Sequence, residues 1–400
     1  MDLRETIACW SSTGPANSLI EVDSLESVRP TEAAVLGVGM VLPEGGPAPY
    51  ELPEALGEPC PAYACAVSPG SGVLPAKVLR RLGRAQRLAM TAAHLALEDA
   101  GICAGDREGI AVCLGTGMGE LGHTYAFLEN MIELEEVKPK PASFINSVHN
   151  AIAGQIAIGL SCKGENHTFI HGSTSFESAL WQGLYLLARG RAECVLVCGV
   201  DELNGYMMAA DRAFGRFQEG DDALAPMSTT GSGSAGTLPG EGAVAIVLGR
   251  VDDAPEGSRR IRGLRARPLA PPMKTNFDAK AEARFIEEAL GRSGLRAGDI
   301  DLVICSANGD SKEDGQYRAV LECLGEAAGA PLAHGVFQHG TGNFHTAAAV
   351  GVALGIKSVP GQVLPDRIRC VGPAPGTDLR YAIVYSLYSS GFHSVCLVTA

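Results

Sequence analysis

Lysine and arginine are scarce in this chain. There are 32 of them against 45 aspartates and glutamates, giving a formal net charge of −13 over 400 residues. Nucleic-acid binding relies on clustered cations at the phosphates, so this balance excludes that class of partner. The one basic run, Lys77, Arg80, Arg81, Arg84 and Arg87, has helical spacing and reads as a solvated helix face. Long apolar runs are also missing. No stretch approaches the roughly 20 residues that span a bilayer, so no membrane association is expected. The opening Met1-Asp-Leu-Arg-Glu lacks the charged-then-apolar pattern of a signal peptide. The twelve cysteines include no Cys-x-x-Cys pair. Cys113, Cys194, Cys198, Cys305 and Cys396 lie in strand-like apolar runs, where a thiol is simply a small hydrophobe. A disulfide framework and a zinc site are therefore excluded, and a cytoplasmic protein without metal or cofactor is expected.

What is abundant is small and apolar. Hydrophobic residues make up 46% of the chain, glycine occurs 50 times and aromatics reach only 6%. That mix suits tightly packed α/β layers with a large core. Residues 33–42, 110–115, 194–200 and 242–248 read as buried strands, with helices over about 75–100, 121–132 and 147–160. Residues 4–17 contain a strand candidate, Thr6 to Trp10. Residues 43–75, 133–142 and 218–240 read as loops from their Pro, Gly and charged composition. After a polar stretch at 250–258 the order begins again: strand at 260–267, helix at 278–292, strand at 302–306, helix at 312–325, a glycine-rich corner at 338–343, helix at 344–357, and closing strands at 380–387 and 394–399. The expected architecture is two related α/β halves, 1–250 and 251–400, sharing one site.

The most informative stretch is Gly164-Glu-Asn-His-Thr-Phe-Ile-His-Gly-Ser-Thr-Ser-Phe-Glu-Ser-Ala-Leu180. An extended piece meets a small-residue corner, and a helix with Phe176, Leu180, Leu184 and Leu187 on one face follows. Strand, elbow, helix holds Ser173 over a helix N-terminus, where backbone N–H groups can face a developing anion. Three readings of Ser173 stay open: an inert filled corner, a serine nucleophile, and a pocket that holds an acyl group without covalent chemistry. His171 and His345 are the candidate bases. Gly172-Ser-Thr-Ser-Phe is not the G-x-S-x-G elbow of α/β-hydrolases. His149 and His339 read as structural, and His393 has no evident partner.

Six blocks taken in order resemble the β-ketoacyl synthases of the thiolase superfamily. They are Leu74-Pro-Ala-Lys-Val-Leu-Arg-Arg-Leu-Gly-Arg, Ala92-Ala-His-Leu-Ala-Leu-Glu-Asp-Ala-Gly, Leu114-Gly-Thr-Gly-Met-Gly, Ser147-Val-His-Asn-Ala, Gly164-Glu-Asn-His-Thr and Pro239-Gly-Glu-Gly-Ala-Val-Ala-Ile-Val-Leu. The resemblance implies a thiolase-like αβαβα layered fold. It also implies a cysteine nucleophile at the elbow and two histidines from the second half. This sequence departs at all three positions, with Ser173, Asn308 and Asn343. The glycine loop that forms the oxyanion site appears as Tyr388-Ser389-Ser390-Gly391, with Phe392 next.

A hydroxyl without a base has no useful anion near neutral pH, and asparagine cannot shuttle protons. The resemblance therefore points to a non-catalytic chain-length factor. Such a subunit forms a heterodimer with a catalytic ketosynthase, meets the acyl carrier protein only indirectly, and shapes the acyl tunnel. Leu121, Tyr125, Leu128 and Phe144 would face that tunnel or the partner. The rival readings are an acyltransferase or esterase using Ser173, and a homodimeric acyl-binding or scaffold protein.

Overall fold

The computed structural model describes residues 32–65, 75–135, 137, 141–218, 224–227, 235–268, 277–361, 364–388 and 391–400, which fall in the compact unit from Thr31 to Ala400. The strand candidate Thr6–Trp10, Ser389 and Ser390, and parts of the 43–75 and 218–240 segments lie outside the described residues.

The first half contains β1 (Ala33–Val41), β2 (Ala48–Tyr50), β3 (Cys60–Ala62), α1 (Ala76–Leu79), α2 (Arg84–Asp99), β4 (Ala111–Gly115), α3 (Leu121–Glu133), α4 (Pro141–Ser147), α5 (Ala151–Leu160), β5 (Asn166–Phe169), α6 (Ser175–Ala188), β6 (Cys194–Asp201), α7 (Gly205–Ala213) and β7 (Gly242–Gly249). The second contains β8 (Arg260–Pro268), α8 (Ala279–Arg292), β9 (Leu302–Cys305), α9 (Ser311–Ala328), β10 (His334–Val336), α10 (Ala348–Ser358), β11 (Arg369–Cys370), β12 (Tyr381–Tyr388) and β13 (Phe392–Thr399). Their strands run in the order β11-β10-β9-β12-β13-β8-β1-β7-β6-β4-β5. The path β5-β4-β6-β7-β1 in the first half is repeated as β10-β9-β12-β13-β8 in the second. The sense of pairing repeats too, two parallel contacts followed by two antiparallel ones. A short rung, Ala33 with Ile261 and Ala34 with Arg260, joins the two.

Strand residues alternate between cores. Val195 and Val197 of β6 join Leu302 and Ile304 of β9 in a central cluster built on α6 and α10. The intervening Leu196, Cys198 and Val200 face α2 and α5, while Val303 and Cys305 face α8 and α9. Both faces of β6 and β9 are thus covered, which is why these segments are continuously apolar in sequence. The layers are α2/α5, first-half strands, α6/α10, second-half strands and α8/α9. This is the expected αβαβα fold.

Several local expectations need correction. The single helix expected at 75–100 is α1 plus α2, broken before Gly83, where any Cβ would collide with the carboxyl group of Glu120. The helix expected at 147–160 begins only at Ala151, as α5, and α4 precedes it, opening inside the expected loop at Pro141, whose missing N–H costs nothing in a first turn. Within 43–75, β2 and β3 pair as a small ribbon. α7 breaks the stretch after β6, with the Asn204 side chain accepting from the N–H groups of Tyr206 and Met207. α10 starts four residues later than expected, after a turn in which Ala347 N–H donates to the carbonyl of Phe344.

The basic run is not simply a solvated face. Arg84 donates through Nε (2.7 Å) and Nη2 to the buried carboxylate of Glu241. That carboxylate also accepts from Cys65 N–H (2.7 Å) and Leu203 N–H (3.0 Å). One side chain on the approach to β7 therefore ties together α2, the segment after β3 and the end of β6. Removing the cation would leave a buried charge uncompensated. Arg84→Ala should lower the unfolding free energy by about 3 kcal/mol, read from urea denaturation.

Candidate functional site

β5 pairs with β4 and ends at Phe169, and a 3-10 turn, Gly172–Thr174, leads into α6. Gly172 takes φ +57°, so the corner needs a residue that tolerates the left-handed region. The elbow lies close against β4, where a Cβ at Gly115 would run into the backbone of Ser175 and Phe176. These constraints fix Ser173 at the start of a 14-residue helix.

The structure brings His345 to Ser173. His345 Nδ1 lies 3.4 Å from Ser173 Oγ, and the imidazole packs so closely on Gly117 that a Cβ there would overlap it. The neighbouring residue is clamped. Asp201, at the end of β6, accepts from the backbone N–H and Oγ1 of Thr346, both at 2.8 Å. It accepts as well from Gly117 N–H (2.7 Å) and Thr116 Oγ1 (3.3 Å). One buried carboxylate thus links the loop after β4 to the approach of α10.

The other candidates have partners of their own. His171 is exposed, and its Nδ1 is 2.9 Å from Ser178 Oγ, one turn into α6. Asn343 is held by its backbone: its N–H donates to Leu238 and its carbonyl accepts from Gly240, both at 2.9 Å. Asn308 commits its amide, donating to Glu313 Oε2 (2.6 Å) and accepting from Asp310 N–H (3.0 Å). Burial raises the Glu313 carboxyl above the usual range. Gly391 has φ +90°, a conformation suited to glycine, and Phe392 is exposed. His149 packs over Gly119. Burial, with Arg369 and Arg367 nearby, lowers His339 to about 4. His393 does have partners: Arg267 Nε donates to its Nε2 (2.8 Å), Glu282 faces its Nδ1, and Phe285 stacks on its ring at 4.1 Å.

Around α3, Leu121 is buried, and Tyr125 stacks on Tyr206 with centroids 4.3 Å apart. The Tyr206 hydroxyl donates to Glu129. Leu128 and Phe144 are exposed, and Phe144 tilts against Phe127 at 5.3 Å. Two groups absent from the sequence reading matter for the site. Glu177, in the first turn of α6, is buried and accepts from the hydroxyls of Tyr388 and Ser394 in the second half. Burial raises its carboxyl. Glu120 and Glu202 meet at the N-terminus of α2, accepting from the N–H groups of Gln86 and Ala85.

Sequence comparison places residues 67–254 in the family model described as Beta-ketoacyl synthase, N-terminal domain. The chain is 27% identical over 329 residues to the tetracenomycin polyketide synthase ketoacyl synthase beta subunit of Streptomyces glaucescens, covering 76% of each protein. Among solved structures it resembles the ishigamide ketosynthase/chain length factor, with TM-score 0.73 and 20% identity over 93% of this chain and 99% of that one. It also resembles one chain of a structure described as a type II polyketide synthase acyl-carrier protein in complex with its ketosynthase bound to the hexaketide, with TM-score 0.75 and 18% identity over 93% of this chain and 100% of that one. Its fold is that of these thiolase-like ketosynthases.

Burial, and next the Glu120 carboxylate, push the Glu202 carboxyl well above its ordinary value. The folded chain therefore keeps a proton that the unfolded chain has lost, so stability falls as pH rises from the ordinary glutamate range through the raised one. Glu120→Gln supplies an amide donor to Glu202 without needing that proton. Urea midpoints taken between about pH 5.5 and 8.5 should fall less steeply in Glu120→Gln than in wild type, with a residual slope from Glu177.

Proposed function

We propose that this chain, ketosynthase-like in sequence over residues 67–254 and in fold over its described length, is a chain-length-factor-like subunit. It pairs with a catalytic β-ketoacyl synthase and shapes the acyl tunnel during type II polyketide elongation. The observation that carries this reading is an incomplete condensing set. The elbow holds a hydroxyl, and the amide at the first histidine position is spent on Glu313 and Asp310. A condensing site needs a thiolate to hold the growing chain and donors for the enolate from malonyl decarboxylation. One imidazole beside a serine does not supply both.

The surface supports pairing. Along α3–α5, Ile132 is 78% exposed, Ile158 77% and Phe144 54%, and α5 packs by β5, which ends the sheet among the described residues. Apolar side chains next to an open strand edge mark an interface, since both are costly left in water. Tyr125, backed by Tyr206, would then occupy volume near the partner's acyl chain, and a packed interior does not stretch to admit extra methylenes. The acyl carrier protein is engaged through the partner. A cytoplasmic location and a division of the chain at 250/251 belong to the same reading.

Co-expression with a ketosynthase carrying the cysteine and both histidines should give a 1:1 complex on size exclusion. The double variant Phe144→Arg with Ile158→Arg should weaken that complex by about tenfold or more. Chain elongation by this protein alone would overturn the reading. A homodimer indifferent to ketosynthases would instead favour the scaffold.

A further inference from the structure

The elbow carries four hydroxyls, and three are spent locally. Thr174 Oγ1 donates to the carbonyl of His171 (3.1 Å), Ser175 Oγ to that of Gly172 (2.6 Å) and Ser178 Oγ to that of Thr174 (3.0 Å). These are the short side-chain-to-backbone bonds expected of a hydroxyl that only fills a corner. Ser173 differs. Its recorded partner is the imidazole of His345, 172 residues away and from the other half of the molecule. At 3.4 Å the contact is long for an O–H···N bond, as catalytic contacts often are before substrate tightens them. The base is held in place from two sides, with its ring against Gly117 and its neighbour Thr346 on Asp201. In front of Gly172 a Cβ would meet nothing within 4 Å, so the corner is open on that side.

We propose that Ser173 and His345 form an acyl-accepting dyad that cleaves acyl thioesters, an activity separate from the pairing role. Ser173 Oγ attacks the thioester carbonyl carbon as its proton passes to His345 Nδ1. The C–S bond breaks and the departing thiolate takes that proton, leaving an oxoester on Ser173. Water then attacks the ester, again giving its proton to His345. The carboxylic acid leaves and the serine hydroxyl is restored. The positive end of α6 faces the oxyanion that develops in both steps. The ligand class is an acyl thioester of the kind an elongating ketosynthase handles, so the reaction would release a stalled chain as its free acid.

The test uses the full chain with the hexanoyl thioester of N-acetylcysteamine. It is read by mass spectrometry of the intact protein and of the peptide containing residue 173, and by release of hexanoate. Wild type should gain one hexanoyl group on that peptide and release the acid. Ser173→Ala should show neither. His345→Gln should slow acylation by about 100-fold or more, and Gly117→Ala, which displaces the ring, should do likewise. His171→Ala should stay within about twofold, because that ring bonds Ser178. If Ser173→Ala fails to fold, Ser173→Cys serves instead. Iodoacetamide should then alkylate position 173 faster with His345 present than in Ser173→Cys with His345→Gln. No adduct in wild type, or an adduct that forms equally fast in His345→Gln, overturns the dyad. Either result leaves the 1:1 complex with a ketosynthase untouched, so failure here is distinct from failure of the pairing reading.

Discussion

The site depends on one buried carboxylate. Asp201 collects four donors, two from the loop after β4 and two from Thr346 at the approach to α10. A carboxylate taken out of water loses its hydration and keeps its charge only if hydrogen bonds replace what was lost. Here the replacements come from both halves, so satisfying the charge and holding the halves in register are one event. Gly117, fixed by its N–H, presents a bare Cα to the His345 ring, and Thr346, fixed by two bonds, holds the backbone that carries that ring. The serine and the imidazole come from elements far apart in the chain, and nothing local to either brings them together.

Glu177 makes a second tie of the same kind across the middle layer. It projects from the first turn of α6 toward Tyr388 and Ser394. Tyr388 ends β12, next to the loop that the ketosynthase resemblance assigns to the oxyanion. Asp201 and Glu177 act at two ends of the same contact: one sets His345 against the elbow, and the other sets the elbow's helix against the closing strands. Between them lies the apolar packing of α6 on α10, where Ala348, Ala349 and Ala353 let helix and strand backbones come close. Packing of this sort is non-directional and would tolerate a small slide. The two carboxylates supply the direction.

The layered fold was legible because its strands are covered on both faces and its helices are periodic, so 194–200, 242–248 and 302–306 announce themselves without tertiary knowledge. Helix breaks were harder to read. Gly83 interrupts α1–α2 because Glu120 presses on it, and no local property of the segment encodes that contact. The site was half legible. Ser173 could be placed from the elbow alone. Its partner could be narrowed only to His171 or His345, because Asn343 and His345 lie two residues apart in a glycine-rich corner with no periodicity to set their phase. The structure resolves the phase through backbone bonds: Asn343 pairs with Leu238 and Gly240, which turns the following residues toward Gly117. The useful signal was His345-Thr346 directly before the small apolar helix face Ala347-Ala348-Ala349. Asp201, Glu177 and the Glu120–Glu202 pair were invisible because a carboxylate's role depends on which donors reach it.

On the pairing reading and the dyad proposed above, one corner is inert for elongation and still takes an acyl group. Forming a carbon–carbon bond asks for a thiolate leaving group, loss of carbon dioxide from a malonyl unit and stabilisation of the enolate that remains. These demands arise at different atoms and need more than one donor. Asn308, at the position that the ketosynthase resemblance implies for the first histidine, is turned to Glu313 and Asp310, so that donor is spent. Ester formation and hydrolysis ask less. The same proton moves twice between oxygen or sulfur and one imidazole, and the developing charge sits at a single oxygen over a helix N-terminus. An oxoester is also a poorer acyl donor to a carbanion than a thioester, so a chain landing on Ser173 would meet water more readily than carbon. On that proposal, a serine where the ketosynthase resemblance implies a cysteine changes the fate of an acyl group at this elbow while leaving in place the scaffold that presents it.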